Sequence, residues 1–294
     1  MSPKIVLIIG NGFDLDLGLK TSYSHFINSG ALQNVRFQPI FAQMMREYRQ
    51  KRWIDIEESL KEVSIKPTLH HSKTEILKTH KILRELLMLY LNQLSYDNLQ
   101  KNCSAIKVLS TILKDREADI FNFNYTDLKE IARKCGLRSE FLYTSIHGKL
   151  ADQSIILGFE DDVNVKDPDL CRLVKSHSPY YKSANINQKL QEADEVIFFG
   201  HSLGSTDYHY FSNFFMDQVQ AQNQDRFVKK RIRIFTYDEL SRLQILLQIR
   251  NMNARKTNML YDLNDFRIYR TSQDTAEIDA YCEDLLKRIH ESLF

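Results

Sequence analysis

Apolar runs of strand length alternate with amphipathic stretches along most of this chain. Residues 4–9 (KIVLII) are continuously apolar apart from the leading lysine and break at Gly10-Asn11-Gly12, the pattern of a buried parallel strand ending in a tight turn. Further runs recur at ADIFNF (118–123), FLYTSI (141–146), SIILGF (154–159), EVIFFG (195–200), IRIFTY (232–237) and FRIYR (266–270). Helical periodicity fills intervals between them, at Leu128 to Cys135, Phe211 to Val219 and Leu240 to Ile249. This alternation predicts an α/β fold, a mostly parallel sheet with helices on both faces.

One interval does not fit a simple crossover. Between the first strand and the next clear one, residues 36–116 carry apolar residues at helical spacing, with Ile76, His80, Leu83, Leu87, Tyr90 and Leu94 on one face. A strand-to-helix crossover needs far fewer residues, so this stretch predicts a helical insertion or cap placed beside the sheet. The segment from Thr275 to Phe294, with Ile278, Cys282, Leu285, Ile289 and Leu293 in helical register, predicts a terminal helix docked on the core. With no internal repeat and no proline-rich linker, residues 1–294 are read as one Rossmann-like α/β domain carrying the 36–116 insertion.

Composition narrows the chemistry. A chain of 294 residues buries a full core without cross-links, and its four cysteines, Cys103, Cys135, Cys171 and Cys282, are too scattered for a disulfide framework or a zinc finger. Free thiols fit a reducing cytoplasm. The net charge of +2 lacks the basic excess of a dedicated nucleic-acid binder. Only Arg226 through Arg233 (RFVKKRIR) leans that way, and it is read as a charged approach to a strand. The apolar run in MSPKIVLIIG is too short to span a membrane.

Several motifs bear on function. In GNGFDLDLG, Gly10, Asn11, Gly12, Phe13 and Asp14 follow a strand and open a helix, where backbone N–H groups can approach a phosphate; a bare strand-to-helix turn is the alternative. The dinucleotide fingerprint is incomplete, since Leu15 occupies its third glycine position and no acid lies between Leu17 and Arg46, which argues against a hydride-transferring enzyme. In FNFNYTD, Asn124 falls at a strand end, where its amide can orient water or a sugar hydroxyl or simply bind nearby backbone, and Thr126 or Asp127 can cap the next helix. In SIHGK, His147 beside Gly148 is the histidine best placed for proton transfer. The run GHSLGSTDYHYF offers two readings. One is a hydrolase elbow with Ser202 as nucleophile and Asp238 and His290 as nominal partners; the other is a second glycine turn in which Gly200, Ser202 and Asp207 line a nucleotide pocket. Trp53, Asp55, Glu57 and Glu58 in WIDIEESL are read as a helix start with solvated acids, and no metal is placed there or elsewhere.

Taken in order, GNGFDLDLGLKTSYSHF, WIDIEESL, FNFNYTD, IHGK, ILGFE and GHSLGSTDYHYF resemble the AbiH family of bacterial abortive-infection proteins across almost the whole chain. The resemblance implies a cytoplasmic protein that limits phage spread at the expense of the infected cell. A more distant likeness is to sirtuin-like NAD-consuming domains, through Gly10, Gly12, Gly18-Leu19, Asn124-Tyr125, His147-Gly148 and Gly200. That likeness implies Asn124 positioning water or a ribose hydroxyl, His147 acting on the ribose, and the carboxylate of Asp14 or Asp207 stabilising an oxocarbenium-like state. The sequence departs from it in two ways. Paired CxxC motifs are absent, which argues against protein deacetylation, and Asp14 stands where those domains carry serine.

The leading expectation is therefore a defence effector that hydrolyses NAD or a related nucleotide as substrate, with no tightly bound cofactor. A nucleotide-gated sensor acting by interaction alone, and a Ser202 hydrolase, are the alternatives. Expected partners are the nucleotide, a phage-derived trigger and further copies of the chain, with neither membrane nor nucleic acid among them.

Overall fold

The five residues Ile5–Ile9 (β1) are buried on both faces, as a strand must be when helices cover the sheet from either side. A computed structural model describes residues 3–35, 38–51, 55–65, 72–161, 163–220 and 229–291. Asp119–Asn122 (β2) and Thr144–Ser145 (β3) extend the sheet on one side of β1, and Glu195–Phe199 (β4), Arg231–Thr236 (β5) and Asp265–Arg270 (β6) on the other. The order is β3-β2-β1-β4-β5-β6, and all six strands run parallel. The chain thus winds outward from β1 in both directions, and the order reverses between β1 and β4.

Alternation along the strands divides the core. Ile5, Leu7 and Ile9 of β1, with Ile197 and Phe199 of β4, face a layer made by Asn11–Asp16 (α1), Ser104–Ile112 (α6), Leu128–Lys134 (α7) and Thr275–Glu291 (α12). Val6 and Ile8, with Val196 and Phe198, face the layer made by Ile186–Glu192 (α8), Tyr208–Gln220 (α9), Glu239–Met252 (α10) and Thr257–Leu263 (α11). Side chains with hydrogen-bonding oxygens start several of these helices: Asp127 accepts from the N–H groups of Lys129 and Glu130, and Asp238 from that of Ser241.

The expected cap is present, with shifted limits. Tyr23–Asn28 (α2), Pro39–Lys51 (α3), Ile56–Ile65 (α4) and Lys73–Asn92 (α5) surround a third apolar cluster, which also takes in Ile155, Leu157 and Phe159 and the short helical turn Leu170–Leu173. The cap therefore begins with α2, ahead of residue 36, while α6 belongs to the sheet layer. On α5 the buried stripe is Ile76, Thr79, Leu83, Leu87 and Leu91; His80 and Tyr90 flank it, half-buried, and Leu94, also half-buried, lies just past the end of the helix. The run SIILGF, expected as a strand, joins the cap instead. Its only pairing is an isolated bridge between Phe159 and Val174, because its apolar residues are buried against the cap helices rather than on the sheet. No described helix is long and apolar enough to cross a membrane.

Two glycine turns lock β1 to β4. The N–H of Gly10 donates to Phe199 O (2.9 Å) and that of Gly12 to Gly200 O (2.8 Å). A Cβ on Gly12 would lie 2.6 Å from Gly200 Cα, and one on Gly200, whose φ is +65°, would lie 2.3 Å from Phe13 N. Neither neighbour can move, since both are backbone. Gly200→Ala is expected to lower stability by more than about 3 kcal/mol, combining a left-handed backbone with backbone overlap. Gly136→Ala, at φ +75° but with nothing within 4 Å, is expected to cost only about 1 kcal/mol. Thermal or urea unfolding of the two variants measures the difference; equal losses would remove the steric argument.

Candidate functional site

Ligands of open α/β sheets bind at the carboxyl ends of the strands where the order reverses, because the crossovers there diverge to opposite faces and leave a crevice. A cavity of about 270 Å³ lies at that point. The sheet side contributes Gly10, Asn11 and Asp14 after β1, Phe123 to Thr126 after β2, His147 after β3, and Gly200, His201, Ser202, Thr206 and Asp207 after β4. The cap side contributes Tyr23, Asp55, Glu57 and Leu91. The insertion therefore does cover the site.

The floor is organised around Asp14. Its carboxylate accepts from Asn124 Nδ2 (2.9 Å) and from Thr126 Oγ1 (2.9 and 3.1 Å), and the second Nδ2 hydrogen of Asn124 goes to Gly10 O (3.0 Å). Asn122 holds the Asn124 backbone N–H through its own side-chain oxygen (3.1 Å). Burial raises the Asp14 carboxyl from 3.8 to about 7, against the opposing pull of the Thr126 and Asn124 hydrogen bonds. Asn11 uses its side-chain oxygen to accept from Thr21 (2.6 Å), which ties the following loop to the turn.

The opposite wall is organised around Asp207. Its Oδ1 lies 3.0 Å from His147 Nε2 and 3.0 Å from Lys175 Nζ, and its Oδ2 lies 3.4 Å from His201 Nε2. His201 Nδ1 accepts the N–H of Leu203 (3.0 Å), so its Nε2 carries the hydrogen directed at Asp207. His147 Nε2 lies 3.0 Å from Asp207 Oδ1 and 3.3 Å from Lys175 Nζ; we assign it a hydrogen, directed at the nearer carboxylate. That leaves His147 Nδ1 as a lone-pair nitrogen. Burial first, and then the Lys175 charge, lower the His147 pKa below its ordinary 6.5, with Asp207 opposing. Although burial acts to raise the Asp207 carboxyl, Lys175 and His147 hold it well below the usual range.

Lys175 joins this wall to the cap. Only 1% of its side chain is exposed, and its ammonium also lies 3.2 Å from Glu57 Oε2 of α4, 3.2 Å from Glu160 Oε1 and 3.1 Å from Thr206 O. Burial opposes its charge, but Asp207, Glu57 and Glu160 together hold its pKa well above the ordinary value. Burial raises the Glu57 carboxyl to about 8 despite the Lys175 charge, which favours the protonated form near neutrality. Lys175 is in place because Gly158 lets two segments touch: a Cβ there would lie 2.1 Å from Leu173 O. Phe159 N–H then donates to Leu173 O and Lys175 N–H to Phe159 O.

Of the residues singled out from sequence, Gly10, Asn11, Asp14, Asn124, His147, Gly200, Ser202 and Asp207 share this cavity. Gly12 and Phe13 do not line it. Gly12 sits beneath, its N–H committed to Gly200 O and not free to cradle a phosphate, and Phe13 turns into the core against Phe199. The elbow reading of Ser202 is not supported by its neighbours. Its oxygen accepts only a long bond from Gly204 N–H (3.4 Å), Asp238 caps α10, and His290 lies in the last turn of α12 in the opposite helix layer. Glu57, expected to be solvated, is buried in the site, while Asp55 caps α4 through the N–H groups of Glu57 and Glu58; Trp53 lies outside the described residues. In the basic run, 226–228 also lie outside them; Lys230 donates to Gln191 O and Ala193 O, and Arg233 pairs with Asp265, so these two cations serve the fold. Lys175, Glu160 and His201 were not singled out. Glu160 ends the ILGFE motif, but no local pattern marks Lys175. Among the described residues no group of three or more His, Cys, Asp or Glu side chains is arranged to hold a metal ion.

The raised Asp14 carboxyl links stability to pH. Burial moves its pKa from 3.8 to about 7 on folding, so the stability linked to its proton is fully present below pH 3.8 and is lost as pH rises from there through 7. The Asp14→Asn variant lacks this penalty. Its stability relative to the native protein is expected to improve between pH 5 and 7 by on the order of 1 kcal/mol per pH unit. Urea unfolding of both proteins across that range measures the slope; parallel pH profiles would show that Asp14 is ionised throughout.

Residues 6–229 match the family described as bacteriophage abortive infection AbiH. No curated protein matches the chain. The match runs from the first core strand through both glycine turns and every residue of the cavity, and the chain belongs to the AbiH family of bacteriophage abortive-infection proteins.

Proposed function

We propose that this protein is an abortive-infection effector that takes NAD, or a related nucleotide with a positively charged base, as substrate and hydrolyses the bond between base and ribose. The observation that carries the reading is the polarity of the cavity: the carboxyl groups of Asp14, Asp55, Glu57 and Asp207 line it, Asp207 is the one held ionised by its neighbours, and no lysine or arginine lines it among the described residues. The one buried cation nearby, Lys175, is already surrounded by carboxylates. Such a lining repels a phosphate and attracts a pyridinium ring and the oxocarbenium-like ribose formed as that ring leaves. At about 270 Å³ the cavity is smaller than pockets that enclose drug-sized ligands, so it suits the ribosyl-pyridinium end, with the diphosphate outside.

The residues divide the work as follows. Water attacks the ribose C1′ and gives its proton to His147 Nδ1; the C1′–N bond breaks, its electron pair neutralises the pyridinium nitrogen, and the proton later passes to solvent. Asp207 orients His147 through Nε2 and supplies the buried negative charge facing the cationic transition state. Asn124 has both amide hydrogens committed, so it serves through its side-chain oxygen as acceptor for a ribose hydroxyl or the attacking water, while it fixes Asp14.

Because burial and the Lys175 charge lower the His147 pKa from its ordinary 6.5, the rate is expected to rise with pH to a plateau, with its half-maximal point below pH 6.5. His147→Ala is expected to lower turnover of NAD by at least about 100-fold at unchanged folding. The cellular test follows NAD before and after infection, at matched protein levels, in the native strain and in one carrying Asn124→Ala with His147→Ala. Collapse with the native protein alone supports the hydrolase; steady NAD during intact protection sinks it and leaves the cavity to a nucleotide sensor.

A further inference from the structure

Helix α10 is apolar on two opposite faces. Ile245, Ile249 and Met252 are buried against the sheet layer, whereas Leu240, Leu243 and Leu247 point outward with 65%, 52% and 55% of their surface exposed. Tyr237, just before the helix, and Tyr261 of α11 are also exposed large apolar residues. Scattered leucines on a surface need no explanation, but three at spacings of three and four along one helix form a seam of the kind that meets another helix. The seam lies beyond residue 229, outside the stretch matched to the family.

We propose that this seam is the interface between two copies of the chain, paired through antiparallel α10 helices about a two-fold axis. The charges decide the occupant and the direction. At about 100° per residue, Glu239 and Arg250 are three turns and roughly 20° apart, so they border the leucine seam on the same flank, one at each end. An antiparallel two-fold brings like flanks together. With the axis near Ile245, Leu243 of one copy meets Leu247 of the other, and Glu239 at one end meets Arg250 at the other end. A parallel two-fold would instead bring unlike flanks together and set Glu239 and Arg250 against the uncharged flank of Gln244, Gln248 and Asn251, where no opposite charge meets them. Within one copy Glu239 is already bonded to Arg242 (2.7 and 2.9 Å) and lies 3.3 Å from Arg270, so a partner's Arg250 would join an existing carboxylate–guanidinium cluster. The self-complementary pattern is what an isologous contact requires, and an unrelated partner does not.

Sedimentation velocity and light scattering on the full chain test this. The native protein is expected to be a dimer, and Leu243→Glu with Leu247→Glu a monomer whose unfolding temperature stays within a few degrees, because both leucines are exposed. Arg250→Glu and Glu239→Arg alone are each expected to raise the dimer dissociation constant about tenfold. Mixing these two single variants is expected to restore association, since each reversed charge then meets an opposite one. A monomeric native protein, or a dimer indifferent to the leucine substitutions, overturns the proposal. A monomer that loses phage protection when Leu243 and Leu247 are changed would give the face to a different protein.

Discussion

The contact on which the architecture rests is the hydrogen bond from Gly12 N–H to Gly200 O, made where two backbones approach with no Cβ between them. Each of the three glycines at this junction, Gly10, Gly12 and Gly200, would collide with main chain if it carried a side chain. The consequence is positional. The turns after β1 and β4 cannot drift apart, so Asp14 on one and Asp207 on the other face the same small space from fixed directions. A phosphate-binding glycine loop uses its freed N–H groups for a ligand; here at least one is used to hold the crevice together. Gly12 is thus needed for the site without lining it, while Gly10 and Gly200 both hold the junction and line the cavity.

A second constraint is electrostatic. The sheet layers and the cap have separate apolar clusters, and the polar cavity lies between them. Across this boundary Glu57 of the cap and Asp207 of the sheet side share one buried ammonium, Lys175, and Glu57 Oε1 also accepts the N–H of Gly158 (3.2 Å). Removing Asp207, the ionised partner, would leave the buried ammonium uncompensated at a cost of several kcal/mol, and removing Glu57 would take away one of its acceptors. Seating of the cap and ionisation of Asp207 are therefore one property: a cap drawn away from Lys175 would alter the charge that sets His147.

Much of this was legible in the chain. The strands β1, β4, β5 and β6 are apolar enough to be read directly, and the two glycine turns, Asn124 and His147 stand at strand ends where sites collect. The errors share a cause. SIILGF has a strand's composition, but composition reports burial and not the partner that provides it, and here the cap does. Glu57 follows a helix-capping aspartate and looks solvated, because nothing local reveals that Lys175, more than a hundred residues later, comes to meet it. A buried lysine is invisible to pattern reading for the same reason: its partners are brought by topology. The glycine of ILGFE was the nearest available signal, since it permits the contact that carries Lys175 into place.

The acid lining and the depth of the cavity also bear on each other. Four carboxyl groups in one small buried space would repel strongly if all were ionised, and the site divides them by environment. Burial keeps Glu57 largely protonated and brings Asp14 to the edge of ionisation near neutrality, while Lys175 and the two histidines concentrate the negative charge on Asp207. A site that held four full charges would bind any cation, including solvent ions. One that holds a single strong charge beside a neutral histidine, with proton-bearing carboxyls around it, offers a directed field and several hydrogen-bonding groups, a combination suited to one cationic centre flanked by hydroxyls. That division depends on the cap staying in place over Glu57, so the same insertion that closes the cavity also sets its charge.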